Sequence, residues 1–194
     1  MASNGTETVE LVEKETIRNF SRAVVIAALT AVLAQFSIPL PGGIPFSFQP
    51  FGVFFAGLVL GPLWGGCAIA LYVLTGVAGA PVFSNATGGL GVIAGPTGGF
   101  LLGFVAGAVV IGAVAHRRPS PRPVETLTLP WVLVGLLGGL VPIYVVGVSW
   151  LSAVAGLGLP QAATSMAPFF LGDLLKVAIS VAVVATHGEL LGRV

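Results

Sequence analysis

The sequence predicts an all-α integral membrane protein, a bundle of six transmembrane helices with both termini cytoplasmic. Three observations carry this expectation. The chain is 56% hydrophobic and only 8% charged, against about 25% charged in ordinary soluble domains, so polar side chains cannot cover its surface. No Asp, Glu, Lys or Arg occurs between Arg22 and Arg117, nor between Glu125 and Asp173. Each of these runs far exceeds the roughly 20 apolar residues that cross a bilayer once. Proline and glycine clusters then cut the runs into pieces of span length.

Each element follows in order. Residues 1–19 read as a cytoplasmic N-terminal tail or surface helix, and residues 20–194 as the membrane domain. In the tail, Glu7, Glu10, Glu13, Lys14, Glu15 and Arg18 accompany Val9, Val12, Ile17 and Phe20, spaced for one face of an amphipathic helix. Its acidic start and the lack of an early apolar core exclude a cleaved signal peptide. The first span, Phe20 to Ile38, is closed by SIPLPGGIP. The second apolar segment, Gln49 to Ala80, is interrupted at Gly61-Pro62 and reads as two short spans or one broken one. Thr97 to His116, Leu129 to about Val154 with Pro142 inside, and Pro168 to about Leu191 complete the set.

Charge arbitrates the broken segment, because basic residues flank spans on the cytoplasmic side. Lys14, Arg18 and Arg22 place the N-terminus inside. Arg117, Arg118 and Arg122 lie inside only if an even number of spans precedes them, which requires two crossings between Gln49 and Ala80. The loops Pro39–Phe48, Pro81–Pro96 and Ala155–Ala167 then face out, and Arg193 lies on the cytoplasmic side.

Several function classes fall away. The stretch GGLGVIAGPTGGFLLGF formally contains G-x-G-x-x-A at Gly89–Ala94, but no strand precedes it and the next acid is Glu125. A dinucleotide fingerprint needs both a preceding strand and an acid about 20 residues on. Gly98-Gly99 is followed by Phe100 and Leu101 rather than G-K-[ST], so the chain carries no phosphate loop and no ATPase. A net charge of +1 gives no electrostatic footprint for nucleic acid. Cys67 is the sole cysteine, which excludes an internal disulfide and any multi-cysteine metal site; it is expected as a small buried hydrophobe. His116 and His187 lack companion ligands and are expected to be interfacial. No metal is expected, and no Ser/His or Cys/His set shares a membrane face as an enzyme would need.

Two features point toward a binding site. The loop APVFSNATGGLGVIAGP is apolar and rich in turn formers, and irregular backbone at membrane depth survives only where protein buries it or where it lines a cavity. Its glycines, Gly88, Gly89 and Gly91 among them, make it a candidate lid or pocket wall, with a plain glycine-rich connector as the equal alternative. The second feature is PFFLGDLLK, in which Asp173 and Lys176 stand inside an apolar helix at i, i+3 and project from one face. Intramembrane charge costs a few kcal/mol or more, so such a pair marks a functional site or else neutralises itself structurally.

The segments IPFSFQPFGVFFAGLVLGP, LYVLTGVAGAPVFSNATGG, GPTGGFLLGF and PFFLGDLLK resemble, in order and spacing, the motifs of the BioY family, the biotin-binding substrate-capture subunits (S components) of energy-coupling factor (ECF) transporters. The likeness runs from about Pro39 to the C-terminus and leaves the acidic N-terminal segment aside. It implies a multi-pass protein of a prokaryotic cell membrane that binds biotin from outside, performs no chemistry and needs no cofactor. It also implies three partners besides the lipid bilayer: a transmembrane coupling (T) protein and two ABC ATPases. A stand-alone transporter, or a secondary transporter coupled through Asp173, is the alternative; the inverted repeats that would mark the latter are not evident.

Biotin offers a carboxylate, a ureido ring with two N–H donors and one carbonyl, and an apolar bicycle. By resemblance, Lys176 is assigned to the carboxylate, and Asp173 to a ureido N–H or to holding Lys176. Asn85 and, more weakly, Gln49 would supply amide hydrogen bonds, while Phe83, Tyr144 and Trp150 could wall the bicycle; for Trp150 an interface anchor is the favoured reading. The stripe Ala23, Ala27, Ala31 lets another helix approach closely. The resemblance assigns it to docking of the coupling protein, with packing inside the chain as the alternative.

Overall fold

A computed structural model describes residues 4–38 and 44–191. Among the described residues there are seven α-helices: α1 (Asn4–Gln35), α2 (Gln49–Val77), α3 (Leu90–Ala94), α4 (Gly98–His116), α5 (Leu129–Ala155), α6 (Leu159–Ser165) and α7 (Ala167–Leu191). Five stretches are long and apolar enough to cross a membrane: Lys14–Gln35, Gln49–Val77, Gly98–His116, Leu129–Ala155 and Ala167–His187. This is an all-helical, multi-pass membrane protein. Two two-residue strands, β1 (Ser37–Ile38) and β2 (Phe46–Ser47), pair antiparallel, and Phe83 and Thr87 form an isolated bridge. Residues 39–43, in the loop Pro39–Phe48 expected to face out, and Arg193 lie outside the described residues.

The α2 segment is not one straight rod. A straight helix would hold Gln49 and Tyr72 about 35 Å apart at 1.5 Å per residue, yet their side chains are hydrogen-bonded. The chain reverses at Gly61, whose φ of 72° and ψ of −172° lie in a region essentially reserved for glycine. Pro62 follows, and it fits the first turn of a new helix because its missing N–H would be unpaired there anyway. The arms 49–60 and 62–77 pack so tightly that a Cβ at Gly65 would sit 2.6 Å from the Ala56 carbonyl oxygen. A helix hairpin thus forms where apolar length alone allows two readings and the charge pattern requires two crossings.

The bundle has two ends. At one, Pro121 lies over Gly61, and Glu15 and Asn19 of α1 share a groove with Pro62 and the 119–121 loop. At the other, Ser37 Oγ meets the backbone and side chain of Asn85. Helices α2, α4 and α5 form the centre, where Val53, Phe54, Leu58, Ile111, Leu136 and Ile143 are almost fully buried.

Three expectations are corrected here, and the alanine stripe follows its stated alternative of packing inside the chain. The segment 81–96 is not wholly irregular, since it holds a 3-10 turn at Ser84–Ala86 and the short α3. The alanine stripe faces inward: Ala23 is 2% and Ala27 8% exposed, and Ala31 packs partly against the same core. Small residues are needed there because α1 presses onto the first arm of α2, where Thr30 lies against Gly52. The face that α1 leaves open carries Ile17, Phe20, Val25 and Val32 instead. Cys67 is exposed rather than buried, and His116 is buried rather than interfacial. The Arg122 backbone N–H donates to His116 Nδ1 at 2.9 Å, so Nε2 carries the proton and donates to the Leu58 carbonyl at 3.0 Å. That neutral ring ties the 117–122 loop to the hairpin.

Candidate functional site

Both clusters of buried polar side chains described here lie at the Asn85 end of the bundle. The first is built on α7. One helical turn separates Asp173 from Lys176, and Lys176 Nζ donates to Asp173 Oδ1 at 2.7 Å, with both residues buried. Tyr144 of α5 donates from its hydroxyl to the other carboxylate oxygen, Oδ2, at 2.8 Å. The ammonium stands 4.1 Å from the centre of the Phe46 ring, a cation–π contact strengthened by desolvation. Phe46 reaches that position because Gly172 offers no side chain where its ring crosses α7. A lysine has three donors; Asp173 takes one, and no second hydrogen-bond acceptor for the ammonium is found among the described residues.

The second cluster is neutral and joins four separate stretches of chain. Gln49, at the start of α2, receives hydrogen bonds on Oε1 from Ser47 (2.8 Å) and Ser84 (2.9 Å) and donates from Nε2 to the Tyr72 hydroxyl. Tyr72 in turn donates to the Val82 carbonyl at 3.1 Å. Phe83 stands edge-on to the Tyr72 ring, with centroids 5.5 Å apart. The loop that supplies Val82, Phe83 and Ser84 is thereby clamped to the second arm of α2.

Against the clusters lies a hollow made of two pockets that share the lining residues Ile44, Phe100 and Phe104. The larger chamber, about 270 Å³, is lined by Gln49, Phe83, Ser84, Asn85, Thr87 and Gly91 together with Ile44, Phe100 and Phe104. The smaller, about 60 Å³, is lined by Phe46, Ser47, Tyr144, Asp173 and Lys176 with Phe169, Met166 and the same Ile44, Phe100 and Phe104. One chamber offers neutral amide and hydroxyl groups, and the other a cation beside aromatic rings. This suits an elongated ligand with a polar, uncharged head, an apolar middle and an anionic tail.

Most residues singled out in the sequence converge here: Asp173, Lys176, Asn85, Gln49, Phe83, Tyr144 and Gly91 all line the hollow. Tyr144 does so as a hydrogen-bond partner as well as an apolar wall. Asn85 has a left-handed backbone (φ 60°), which asparagine tolerates better than most residues. Gly88 and Gly89 are not in the lining. Gly88 packs on the Ala80 carbonyl, and the Gly89 N–H donates to the Gly76 carbonyl at 2.6 Å, so they fasten the loop to α2. Trp150 is also outside the lining and holds the loop differently, by donating its indole N–H to the Gly95 carbonyl at 3.0 Å. Sequence reasoning missed Tyr72, Ser47, Ser84 and Phe46. The available signal was a tyrosine in mid-span, whose hydroxyl must find a partner when buried.

The BioY family model matches residues 6–193. The chain belongs to the BioY family. Members similar to it include the biotin transporter BioY of Thermotoga maritima, 39% identical over 84% of this chain and 92% of that protein. That of Rhodobacter capsulatus is 37% identical over 89% of this chain and 94% of its own length. The fold is that of a solved structure described as the S-component for biotin from an ECF-type ABC transporter. The two superpose with a TM-score of 0.78 over 88% of this chain and 90% of the other, at 24% identity. These BioY relatives are named as transporters, not as enzymes.

Proposed function

We propose that this BioY-family protein captures biotin from outside a prokaryotic cell and delivers it to the cytoplasm together with a coupling protein and two ABC ATPases. The observation that carries the reading is the buried Asp173–Lys176 pair at the wall of the smaller chamber. It supplies an ammonium with one hydrogen-bond acceptor among the described residues, and intramembrane charge is the ordinary mark of a functional site. Lys176 takes the valerate carboxylate, Asp173 and Tyr144 hold the ammonium in position, and the aromatic walls flank the bicycle. The family's biotin transporters and the match to an S-component for biotin support this assignment.

The membrane is crossed six times, with both termini in the cytoplasm. The reversal at Gly61 supports two crossings by α2, although its arms are only about 18 and 24 Å long against a hydrocarbon core of about 30 Å. The proximity of Glu15 to the 119–121 loop puts the two basic clusters at one end of the bundle, as the positive-inside rule requires. The hollow then opens outward.

Purified in detergent without nucleotide, the chain is expected to bind one biotin per molecule in isothermal titration, and to ignore thiamine and riboflavin. Binding that required ATP, or preference for another vitamin, would overturn the reading.

A further inference from the structure

The neutral cluster has a built-in direction. The Val82 carbonyl can only accept, so the single Tyr72 proton is committed to it. The Tyr72 oxygen can then only accept from Gln49, which forces the amide nitrogen toward Tyr72 and the amide oxygen toward Ser47 and Ser84. Both serine hydroxyls spend their protons on that oxygen and keep only lone pairs. The amide nitrogen has a second N–H, which finds no acceptor among the described residues. Gln49 and Ser84 both line the larger chamber.

We propose that Tyr72 is a positioning residue that fixes the polarity of this wall, so that the chamber presents a Gln49 N–H donor beside a Ser84 hydroxyl acceptor to the C=O and N–H edge of the ligand's ureido ring. Tyr72 need not touch the ligand. It acts by preventing the Gln49 amide from turning over, which would replace the donor with a carbonyl oxygen and set it against the ureido carbonyl. The inference rests on biotin being the ligand. It adds that recognition of the ring is a matter of hydrogen-bond direction, and that this direction originates at the Val82 carbonyl.

The decisive probe is 2-iminobiotin. In its protonated form, present at neutral pH, a donating iminium group replaces the ureido carbonyl while the rest of the molecule is kept. Titrations of biotin and 2-iminobiotin against wild type, Gln49→Glu and Tyr72→Phe give a preference ratio for each protein. Wild type should strongly favour biotin. Gln49→Glu, which turns the donor into an acceptor, should shift the ratio toward 2-iminobiotin by roughly ten- to a hundredfold, the usual consequence of mismatching one buried hydrogen bond. Tyr72→Phe should shift it the same way by a smaller factor, because the freed amide can turn to suit either ligand. If both variants weaken the two ligands by equal factors, the network is structural and the inference fails while the assignment of biotin stands. Failure of wild type to bind biotin at all would instead overturn the underlying reading. Should Gln49→Glu not fold, the Tyr72→Phe ratio decides alone.

Discussion

The two polar clusters that flank the hollow solve one problem in different ways. Each places a tyrosine in an apolar helix and gives its hydroxyl an acceptor, the Asp173 carboxylate for Tyr144 and the Val82 carbonyl for Tyr72. The first cluster is ionic and largely local, since its charges sit one turn apart on α7. The second is neutral and non-local, drawing on β2, both arms of α2 and the loop after it. The ionic cluster therefore offers strength and sensitivity to charge, whereas the neutral one offers direction and depends on the hairpin closing correctly. A ligand with a charged tail and a neutral head uses both.

If that contrast is right, perturbing the ionic cluster should cost most. Asp173→Ala strands the Lys176 ammonium, only 4% exposed, and should destabilise the protein by about 3–5 kcal/mol, the usual penalty for breaking a buried pair from one side. Thermal unfolding in detergent reads this, and combining Asp173→Asn with Lys176→Met should recover much of the loss. Equal damage in single and double variants would mean that the pair is not electrostatically coupled. Next comes Tyr144→Phe, which removes a hydrogen bond to a charged group and should cost about 1.5–3 kcal/mol by the same measurement. The smallest effect belongs to Ser84→Ala, which removes one of two hydroxyls on Gln49 Oε1 and should cost about 1 kcal/mol, typical of a neutral hydrogen bond. A Ser84→Ala loss as large as that of Asp173→Ala would erase the distinction between the clusters.

The same contrast explains what could be read from the sequence. Asp173 and Lys176 were legible because charge is rare in these helices and i, i+3 spacing fixes their mutual position without tertiary information. Tyr72, Ser47 and Ser84 were not, because each looks like an isolated polar residue until the hairpin brings 49 and 72 together. That hairpin depends on a backbone conformation at Gly61 that glycine permits but does not compel, so apolar length left α2 as either two pieces or one, and only the charge pattern asked for two. The alanine stripe of α1 was ambiguous for a related reason. Small residues at every fourth position show that a helix approaches closely, but not whether it belongs to the same chain; here the first arm of α2 fills that place.

The central claim is that a biotin carboxylate is read by Lys176, and titration of biotin and biotin methyl ester against wild type and Lys176→Gln tests it most directly. Losing the ammonium should weaken free biotin by about 2–5 kcal/mol, as truncating one partner of a buried charge pair does. The ester, having no ion to strand, should lose much less, so the preference for the acid should narrow. Equal losses for acid and ester would contradict the claim and pass the carboxylate to a donor in the larger chamber, with Asn85 the first candidate.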